Sequence, residues 1–187
     1  MNIQLFDRTN EQYIKEAADL LAACFPHAYG NCAFDEMNNI LDEERVAVMA
    51  VEDDHLIGFA GAIPQYGFTG WELHPLVVNE AYRNKGIGSQ LVYTLEGEVA
   101  KHGGIVMYLG TDDEFGQTSL FGTDLFDNLF EKIRNIKNIG NHPYEFYQKI
   151  GYKIVGVIPD ANGPCRPDIW MTKRLGGKQY IYETERV

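Results

Sequence analysis

Residues 76–88 constrain the fold most, because an apolar strand there runs through a glycine-containing turn into a helix. The run Arg-Asn-Lys-Gly-Ile-Gly at 83–88 stands where a helix begins, and the first N–H groups of a helix have no intrahelical partner. The helix dipole adds positive potential, so this position favours an anion such as a pyrophosphate. Gly86 and Gly88 let a ligand approach the backbone closely. The segment therefore predicts an α/β domain with an anion site between a strand and a helix.

The same residues exclude two nucleotide-binding motifs. They lack the Gly-x-x-x-x-Gly-Lys-Ser/Thr pattern of a P-loop, and the dinucleotide pattern needs three glycines close after the first strand. The net charge of −11 is compatible with a cationic ligand and argues against nucleic acid or an anionic membrane as partner. No stretch approaches the roughly 20 apolar residues of a membrane span, and no secretory signal is evident, so we expect a cytoplasmic protein.

The cysteines and histidines predict neither a metal site nor a catalytic thiol. The three cysteines, Cys24, Cys32 and Cys165, form no C-x-x-C pair and no zinc spacing. No two of the five histidines are spaced to share one helix face. We therefore expect reduced, structurally incidental thiols and no bound metal.

The hydrophobic periodicity predicts one domain over residues 1–175 and a tail, 176–187, of unknown role. Helices are predicted at 11–25 with Asn10 as N-cap, at 34–41, at 86–100, at 125–133 with Thr123 or Asp124 as cap, and from Pro143 to Gly151. Strands are predicted at 46–51, 56–63, 73–78, 105–109, 152–158 and 168–172, with a hairpin at Asp53-Asp54. This order is typical of an α/β domain whose mixed sheet is covered on both faces.

Glu72 and His74 are the candidate bases. They are two residues apart on a predicted strand, so both side chains point the same way and opposite to Leu73. A carboxylate in that position can hold an ammonium group and accept its proton, directly or through water. The residues alone leave a second interpretation open, in which Glu72 is an edge carboxylate and His74 belongs to the strand surface.

Two motifs, in order, resemble the GCN5-related N-acetyltransferase (GNAT) superfamily. Residues 83–88 match its Arg/Gln-x-x-Gly-x-Gly signature, which lies between a central strand and a long helix. Residues 142–152 resemble its later motif, in which a short helix ends in Phe-Tyr-x-x-x-Gly-Tyr before a strand. The chain is therefore identified as a member of the superfamily. The resemblance implies the GNAT fold, a mixed central sheet with helices on both faces, and acetyl-CoA as co-substrate.

Further segments are similar to one branch, the chromosomal aminoglycoside 6′-N-acetyltransferases of Gram-positive bacteria. They lie at 61–67, 69–78, 108–113, 142–147, 152–157, 160–163 and 167–171, and the similarity extends over residues 6–173. It implies direct acetyl transfer to the 6′-amine of a polycationic aminoglycoside, and hence antibiotic resistance by drug modification. It also implies a homodimer.

The resemblance implies a role for each site residue. Glu72 is the general base, and His74 assists it. The backbone N–H of Leu76 faces the thioester oxygen, and Tyr147 lies near the sulfur. The backbone at 76–78 pairs with pantetheine as an added strand would, and the implied cofactor contacts are Leu76, Val77, Val78, Arg83, Asn84, Lys85, Gly86, Ile87, Gly88, Ser89 and Tyr147. The implied acceptor contacts are Phe25, Tyr66, Glu72, Asn79, Asp112 and Glu114.

The acceptor side keeps alternatives open. Asp112 and Asp113 are equally compatible with a solvated turn. The sequence departs from a member of the branch at Phe25, where that member has a tryptophan, and at Phe115, where it has an acid. The alternative functions are a GNAT enzyme for another amine (a polyamine, a metabolite or a protein lysine) and a non-catalytic acyl-CoA sensor. Joint retention of the implied catalytic side chains argues against the sensor.

Overall fold

The computed structural model describes residues 1–176, which form two compact units. The first unit comprises Met1–Met107 together with the segment from Arg174, and the second comprises Tyr108–Lys173. The single domain expected over residues 1–175 stays a prediction. Apart from Gly176, the tail expected at 176–187 lies outside the described residues.

The first unit is built from antiparallel strands and helices. Its strands are β1 (Asn2–Leu5), β2 (Val46–Glu52), β3 (His55–Gln65) and β4 (Gly70–Val78), and each pairs antiparallel with the next. Its helices are α1 (Glu11–Cys24), α2 (Pro26–Tyr29), α3 (Ala33–Ile40) and α4 (Ile87–Lys101). The helices predicted at 11–25, 34–41 and 86–100 and the strands predicted at 46–51, 56–63 and 73–78 are therefore confirmed, with ends shifted by a few residues.

Local sequence signals explain where α1 and the first hairpin begin and end. The side-chain oxygen of Asn10 accepts hydrogen bonds from the backbone N–H groups of Gln12 (3.0 Å) and Tyr13 (3.3 Å), which confirms the predicted N-cap. Asp53 (φ 50°) and Asp54 (φ 61°) form the two-residue turn between β2 and β3. Aspartate tolerates the left-handed region that such hairpin turns require.

Helices cover both faces of the sheet in the first unit. Phe59 belongs to a buried cluster with residues of α1 and α3, including Leu21 and Met37. A Cβ on the preceding Gly58 would lie 3.3 Å from Leu91 of α4. Because successive strand residues point to opposite faces, α4 packs on the face that α1 and α3 leave open. The expectation of helices on both faces is met in this unit.

The second unit holds β5 (Val106–Asp112), α5 (Leu129–Arg134), α6 (Tyr144–Lys149), β6 (Lys153–Ile158) and β7 (Asp168–Arg174), with β5 and β7 crossing its boundary by one or two residues. β7 lies between β5 and β6 and pairs antiparallel with β6. The strands predicted at 105–109, 152–158 and 168–172 are confirmed. The last helix follows Pro143 as predicted, since proline is pre-organised for a helix start.

The helix predicted at 125–133 is wrong at its start. α5 begins only at Leu129, after Asn128 in a left-handed conformation (φ 54°). The Asp124 carboxylate accepts the Phe126 N–H (2.9 Å), and the Thr123 hydroxyl donates to a carbonyl three residues earlier (2.7 Å). Both predicted caps therefore close local turns, a known alternative for short polar side chains.

Two short elements were not predicted. β1 has only four residues; its polar and apolar side chains alternate, but three of the four are exposed, so the alternation marks no buried face. α2 is a single turn that begins at Pro26, directly after α1. The predicted order, which opened with two helices, is therefore corrected to a strand followed by three helices.

Candidate functional site

Strand β4 carries the two candidate bases on one face. Leu73 is buried (5% exposed), whereas Glu72 and His74 on either side of it are half-buried. This confirms that Glu72 and His74 point the same way and opposite to Leu73. Both side chains are therefore accessible enough to meet a ligand while being held by a strand whose other face lies in the core.

A β-bulge interrupts β4 directly after His74. In the ladder with β3, Leu73 pairs with Ala62 and Leu76 pairs with Ala60, so β4 has one residue more than β3 over this interval. Pro75 lies in the extra stretch and has no N–H to give to a ladder. A bulge leaves a residue outside the ladder and re-aims its neighbours. The predicted oxyanion donor, the N–H of Leu76, therefore stands beside a local break in the sheet.

His74 is held by two side chains that sequence analysis missed. Its Nε2 lies 3.2 Å from the Tyr29 hydroxyl and 3.4 Å from Oε1 of Glu36. The Tyr29 ring meets the His74 ring edge to face, with centroids 6.3 Å apart. Phe25 meets Tyr29 in the same manner at 6.2 Å. The structure thus brings the predicted acceptor residue Phe25 into one aromatic row with His74, through α2.

The turn after β4 shows why a glycine is needed at residue 86. Gly86 precedes α4 with φ +81°, a left-handed conformation that glycine adopts without strain. A Cβ there would meet only the Gln90 amide nitrogen, at 3.8 Å, so the requirement is conformational rather than steric. Because Gly86 offers no side-chain cap, the first-turn N–H groups of α4 are left for an acceptor from outside the helix. These N–H groups belong to the predicted cofactor residues Ile87, Gly88 and Ser89.

The basic residues of this turn are exposed and partly tethered. Arg83 donates from Nε to the carbonyl of Val78 (3.1 Å) and from Nη2 to Sγ of Cys24 (3.4 Å). The Lys85 ammonium lies 4.9 Å from the centre of the Tyr82 ring. Arg83 therefore fixes the turn to the end of β4 as well as adding positive charge. Asn84, like Gly86, has a positive φ (61°).

Two predicted acceptor residues of the first unit lie at the ends of β4. Tyr66 is 77% exposed, just after β3, and its ring covers Gly70. The Asn79 side-chain oxygen accepts the Ala81 N–H (3.1 Å) and caps the 3-10 turn Glu80–Tyr82. The assignment of both residues to the acceptor stays a prediction, and Asn79 also has a structural role.

In the second unit, the acids at the end of β5 and just after it differ from one another. Asp113 is fully buried and accepts from the N–H of Gln117 (2.7 Å) and from the N–H (2.8 Å) and hydroxyl (2.7 Å) of Thr118. Its interpretation as a solvated turn is therefore wrong, because it closes its own loop from inside. Asp112 is exposed and accepts a hydrogen bond from the Asn162 amide, and Glu114 is exposed as well.

His142 connects this loop to the start of α6. It is 2% exposed, its Nε2 donates to the carbonyl of Asp112 (3.0 Å), and its Nδ1 accepts the Tyr144 N–H (3.2 Å). Burial lowers the pKa of the His142 imidazole, in accord with a neutral ring that donates at one nitrogen and accepts at the other. His142 therefore positions Asp112 and α6 and is not available as a base.

Tyr147 on α6 is buried among aromatic rings. Its ring centroid lies 5.0 Å from that of Phe146 and 5.8 Å from that of Tyr152, both edge to face. Burial raises the pKa of the Tyr147 phenol well above its ordinary value, which makes it a weaker acid than an ordinary phenol, and like an ordinary phenol it is protonated at neutral pH. A protonated phenol is the form that can donate a proton to a leaving group.

Strands β5 and β7 of the second unit carry a further cluster of side chains to which the sequence analysis assigned no role. The Tyr108 and Trp170 rings stack with centroids 5.6 Å apart, and the Trp170 indole donates to Asp168 (2.6 Å). A Cβ on Gly110 would lie 2.5 Å from the Asp168 carboxylate, so glycine is needed there for a close approach. Asp168 and Trp170 lie in segment 167–171, one of the segments that resemble the aminoglycoside 6′-N-acetyltransferases. That resemblance is the feature of the sequence that could have drawn attention to them.

Within residues 1–176, no group of three or more His, Cys, Asp or Glu side chains is arranged to hold a metal ion. In the same part of the chain, no helix combines the length and apolar character of a membrane span.

Comparisons with known proteins identify the family. Residues 14–120 match the model of the acetyltransferase (GNAT) family. An aminoglycoside 6′-N-acetyltransferase solved with coenzyme A is 52% identical, with a TM-score of 0.94, over 95% of this chain and 99% of that one. The aminoglycoside 6′-N-acetyltransferase from Enterococcus faecium is also 52% identical, with a TM-score of 0.92 and the same coverage. A search of curated proteins gave no significant match.

A more distant structure shows the same fold. The IAA acetyltransferase from Bacillus cereus is 16% identical and superposes with a TM-score of 0.60 over 93% of this chain and 99% of that one. The predicted fold class, an α/β GNAT fold with seven strands in a mixed sheet, is therefore confirmed. The chain belongs to the GNAT family of acetyltransferases, in the group that includes the aminoglycoside 6′-N-acetyltransferases.

Proposed function

We propose that this protein is an acetyl-CoA-dependent N-acetyltransferase that modifies the 6′-amine of aminoglycoside antibiotics. The observation that carries the proposal is the composition of β4 and the turn after it. One strand presents Glu72 and His74, breaks its ladder just before Leu76, and leads into the left-handed Gly86 that opens α4. The identity of 52% to two aminoglycoside 6′-N-acetyltransferases over nearly the whole chain supports the drug as acceptor.

The residues of the turn after β4 fit the pyrophosphate of acetyl-CoA. The uncapped first turn of α4 offers N–H groups and a helix dipole, and Arg83 and Lys85 add positive charge. The backbone of Leu76 to Val78 is assigned to pantetheine, with which it would pair as an added strand does, as the family resemblance implies. When bound, acetyl-CoA supplies the acetyl group as an activated thioester. The relative solved with coenzyme A supports this choice of co-substrate.

The chemistry then divides among a few side chains. Glu72, assisted by His74, takes a proton from the acceptor ammonium so that a neutral amine can attack. The N–H of Leu76 stabilises the negative charge that develops on the carbonyl oxygen. Tyr147 gives a proton to the leaving thiolate, the role that the family resemblance implies for it. No metal is assigned to any step.

The acceptor is a polycation, and the proposed contacts suit it. Glu72, Asp112 and Glu114 supply carboxylates, and the aromatic residues Phe25 and Tyr66 supply apolar surfaces for sugar rings. The net charge of −11 adds a favourable long-range field. We also propose that the enzyme works in the cytoplasm, as expected from the sequence, and that it is a homodimer, as the family resemblance implies.

Thiol release from acetyl-CoA tests the proposal against its alternatives. With kanamycin, spermidine and a lysine peptide as acceptors at equal concentration, we expect rapid release with kanamycin alone. Equal release with spermidine or the peptide would favour an enzyme for another amine. No release with any acceptor, from a protein that binds acetyl-CoA, would favour the sensor.

Acceptor binding is expected to depend on charge and salt. Neutralising two exposed acids together, by Asp112→Asn and Glu114→Gln, should raise the KM for kanamycin about three- to tenfold, since exposed ion pairs are individually weak. The same variant should flatten the salt dependence of KM, because the Debye length is about 8 Å at physiological ionic strength. Steady-state kinetics at two salt concentrations measures both effects.

A matched control variant makes the same change of net charge at two other positions of the second unit. Glu131→Gln with Glu145→Gln neutralises two exposed acids on α5 and α6 and should leave the KM for kanamycin unchanged. The affinity for acetyl-CoA should be unchanged in both double variants. If the Asp112 and Glu114 variant binds drug as tightly as wild type at low salt, these two acids belong to a solvated turn.

A further inference from the structure

We propose that Glu36 and Tyr29 are positioning residues that hold His74 in one tautomer, with its proton on Nε2 and its Nδ1 left as the proton acceptor. Neither residue is part of the motifs that point to acetyl transfer. The inference rests on the proposed function, in which His74 assists Glu72. To assist Glu72, His74 needs a fixed ring orientation and a fixed tautomer, and the inference names the two side chains that provide them.

Both partners approach the same ring nitrogen. The Tyr29 hydroxyl lies 3.2 Å from Nε2 of His74, and Oε1 of Glu36 lies 3.4 Å from it. The side chains of His74 and Glu36 are 32% and 21% exposed, so solvent only partly screens their interaction. Because both partners approach Nε2, the two ring nitrogens of His74 have different surroundings.

The chemistry of the partners selects the tautomer. An ionised carboxylate only accepts hydrogen bonds, and a tyrosine hydroxyl both donates and accepts. A lone pair on Nε2 would face the Glu36 carboxylate and be repelled, whereas an N–H there is attracted. The neutral ring therefore carries its proton on Nε2, and the lone pair lies on Nδ1. This is the general arrangement in which a carboxylate fixes the tautomer and orientation of a histidine that accepts protons.

The elements that carry the two partners are well anchored. Glu36 lies on α3 next to Met37, which is fully buried, and one turn before Ile40, which is 1% exposed. Tyr29 ends α2 and lies between Phe25 and His74 in edge-to-face contacts. A histidine held from two helices loses ring rotation, which is the property that a proton acceptor in a fixed reaction geometry needs.

The tautomer can be read directly by NMR. In protein labelled with 15N histidine, two-bond correlations at about pH 8, where an ordinary histidine is neutral, distinguish the two N–H forms. His74→Gln assigns the His74 signals among the five histidines. We expect the Nε2–H pattern in the wild type and a mixture in Glu36→Gln. An Nδ1–H pattern in the wild type, or no change in Glu36→Gln, would overturn the proposal. This measurement needs no acetyl transfer, so its outcome is separate from that of the proposed function.

A double-mutant cycle tests whether Glu36 acts through His74. We expect Glu36→Gln to lower kcat/KM about tenfold, a part of the roughly 10²–10⁴-fold that a general base contributes. In a His74→Gln background the same change should have no further effect. Asp35→Asn, an exposed neighbour on α3, is the matched control and should have no effect in either background.

Two results would contradict the positioning role. One is a loss from Glu36→Gln that persists in full in the His74→Gln background. The other is wild-type activity in both Glu36→Gln and Tyr29→Phe. Thermal melting of each variant separates these outcomes from loss of folding, and Tyr29→Phe keeps the ring that contacts Phe25 and His74.

Discussion

Replacing Glu72 by glutamine is expected to lower kcat/KM for an aminoglycoside by roughly 10²–10⁴-fold, the usual contribution of a general base. Glutamine keeps the shape of the side chain on the half-buried face of β4 but can neither take a proton nor attract an ammonium. The strand itself should be unaffected, because its buried face, with Leu73, is unchanged. Steady-state kinetics across pH measures the effect, with Glu52→Gln at the end of β2 as control.

The way in which the Glu72 variant loses activity separates two roles. Loss of a general base lowers kcat, whereas loss of an electrostatic anchor raises KM while kcat barely moves. Either pattern places the carboxylate against the acceptor. An unchanged kcat/KM across the pH range would exclude both roles, and Glu72 would then be an edge carboxylate of the sheet.

Replacing Gly86 by proline is expected to weaken CoA binding by more than tenfold, which is about 1.4 kcal/mol. Gly86 has φ +81°, and proline is restricted to a φ near −65°. The turn must rearrange, and the N–H groups at the start of α4 then lose their common direction toward a pyrophosphate. Calorimetric titration of CoA into the folded variant measures the loss.

Two controls separate this effect from a general loss of stability. Gly86→Asn should retain most of the affinity, because asparagine tolerates the left-handed region better than other residues. Gly103→Pro removes a glycine with nearly the same φ (+84°) just beyond the opposite end of α4, so it should destabilise the fold without changing CoA affinity. A folded Gly86→Pro variant that binds CoA normally would contradict the cofactor assignment.

The parts of the fold that could be predicted are those with long local signals. α1 and α4 have sustained helical periodicity, α1 has a capping asparagine, and the hairpin at Asp53-Asp54 has the residues its turn requires. α5 was misplaced because Thr123 and Asp124 read as caps but close turns of their own. Such turns and true helix caps use the same side-chain chemistry, so sequence alone does not separate them.

The site could be predicted only where its residues share one strand or one turn. Glu72 and His74 follow from their spacing on β4, and Gly86 follows from its motif. Tyr29 and Glu36 could not be found in this way, because only the tertiary packing of α2 and α3 brings them to His74.

On the acceptor side, the burial of Asp113 could not be predicted from the sequence. The sequence left a solvated turn open as one interpretation of this residue, yet the Asp113 side chain is fully buried. A carboxylate can be buried when it accepts several hydrogen bonds, and here the partners come from residues four and five positions later. That arrangement depends on the fold of the loop and leaves no pattern in the sequence.

The most direct test of acetyl transfer to a 6′-amine is a comparison of neomycin with paromomycin. These two drugs differ only in bearing an amine or a hydroxyl group at the 6′ position. We expect rapid thiol release with neomycin, a product that NMR shows to be acetylated on the 6′ nitrogen, and no release above background with paromomycin. Equal release with both drugs, or an acetyl group on any other nitrogen, would contradict this expectation.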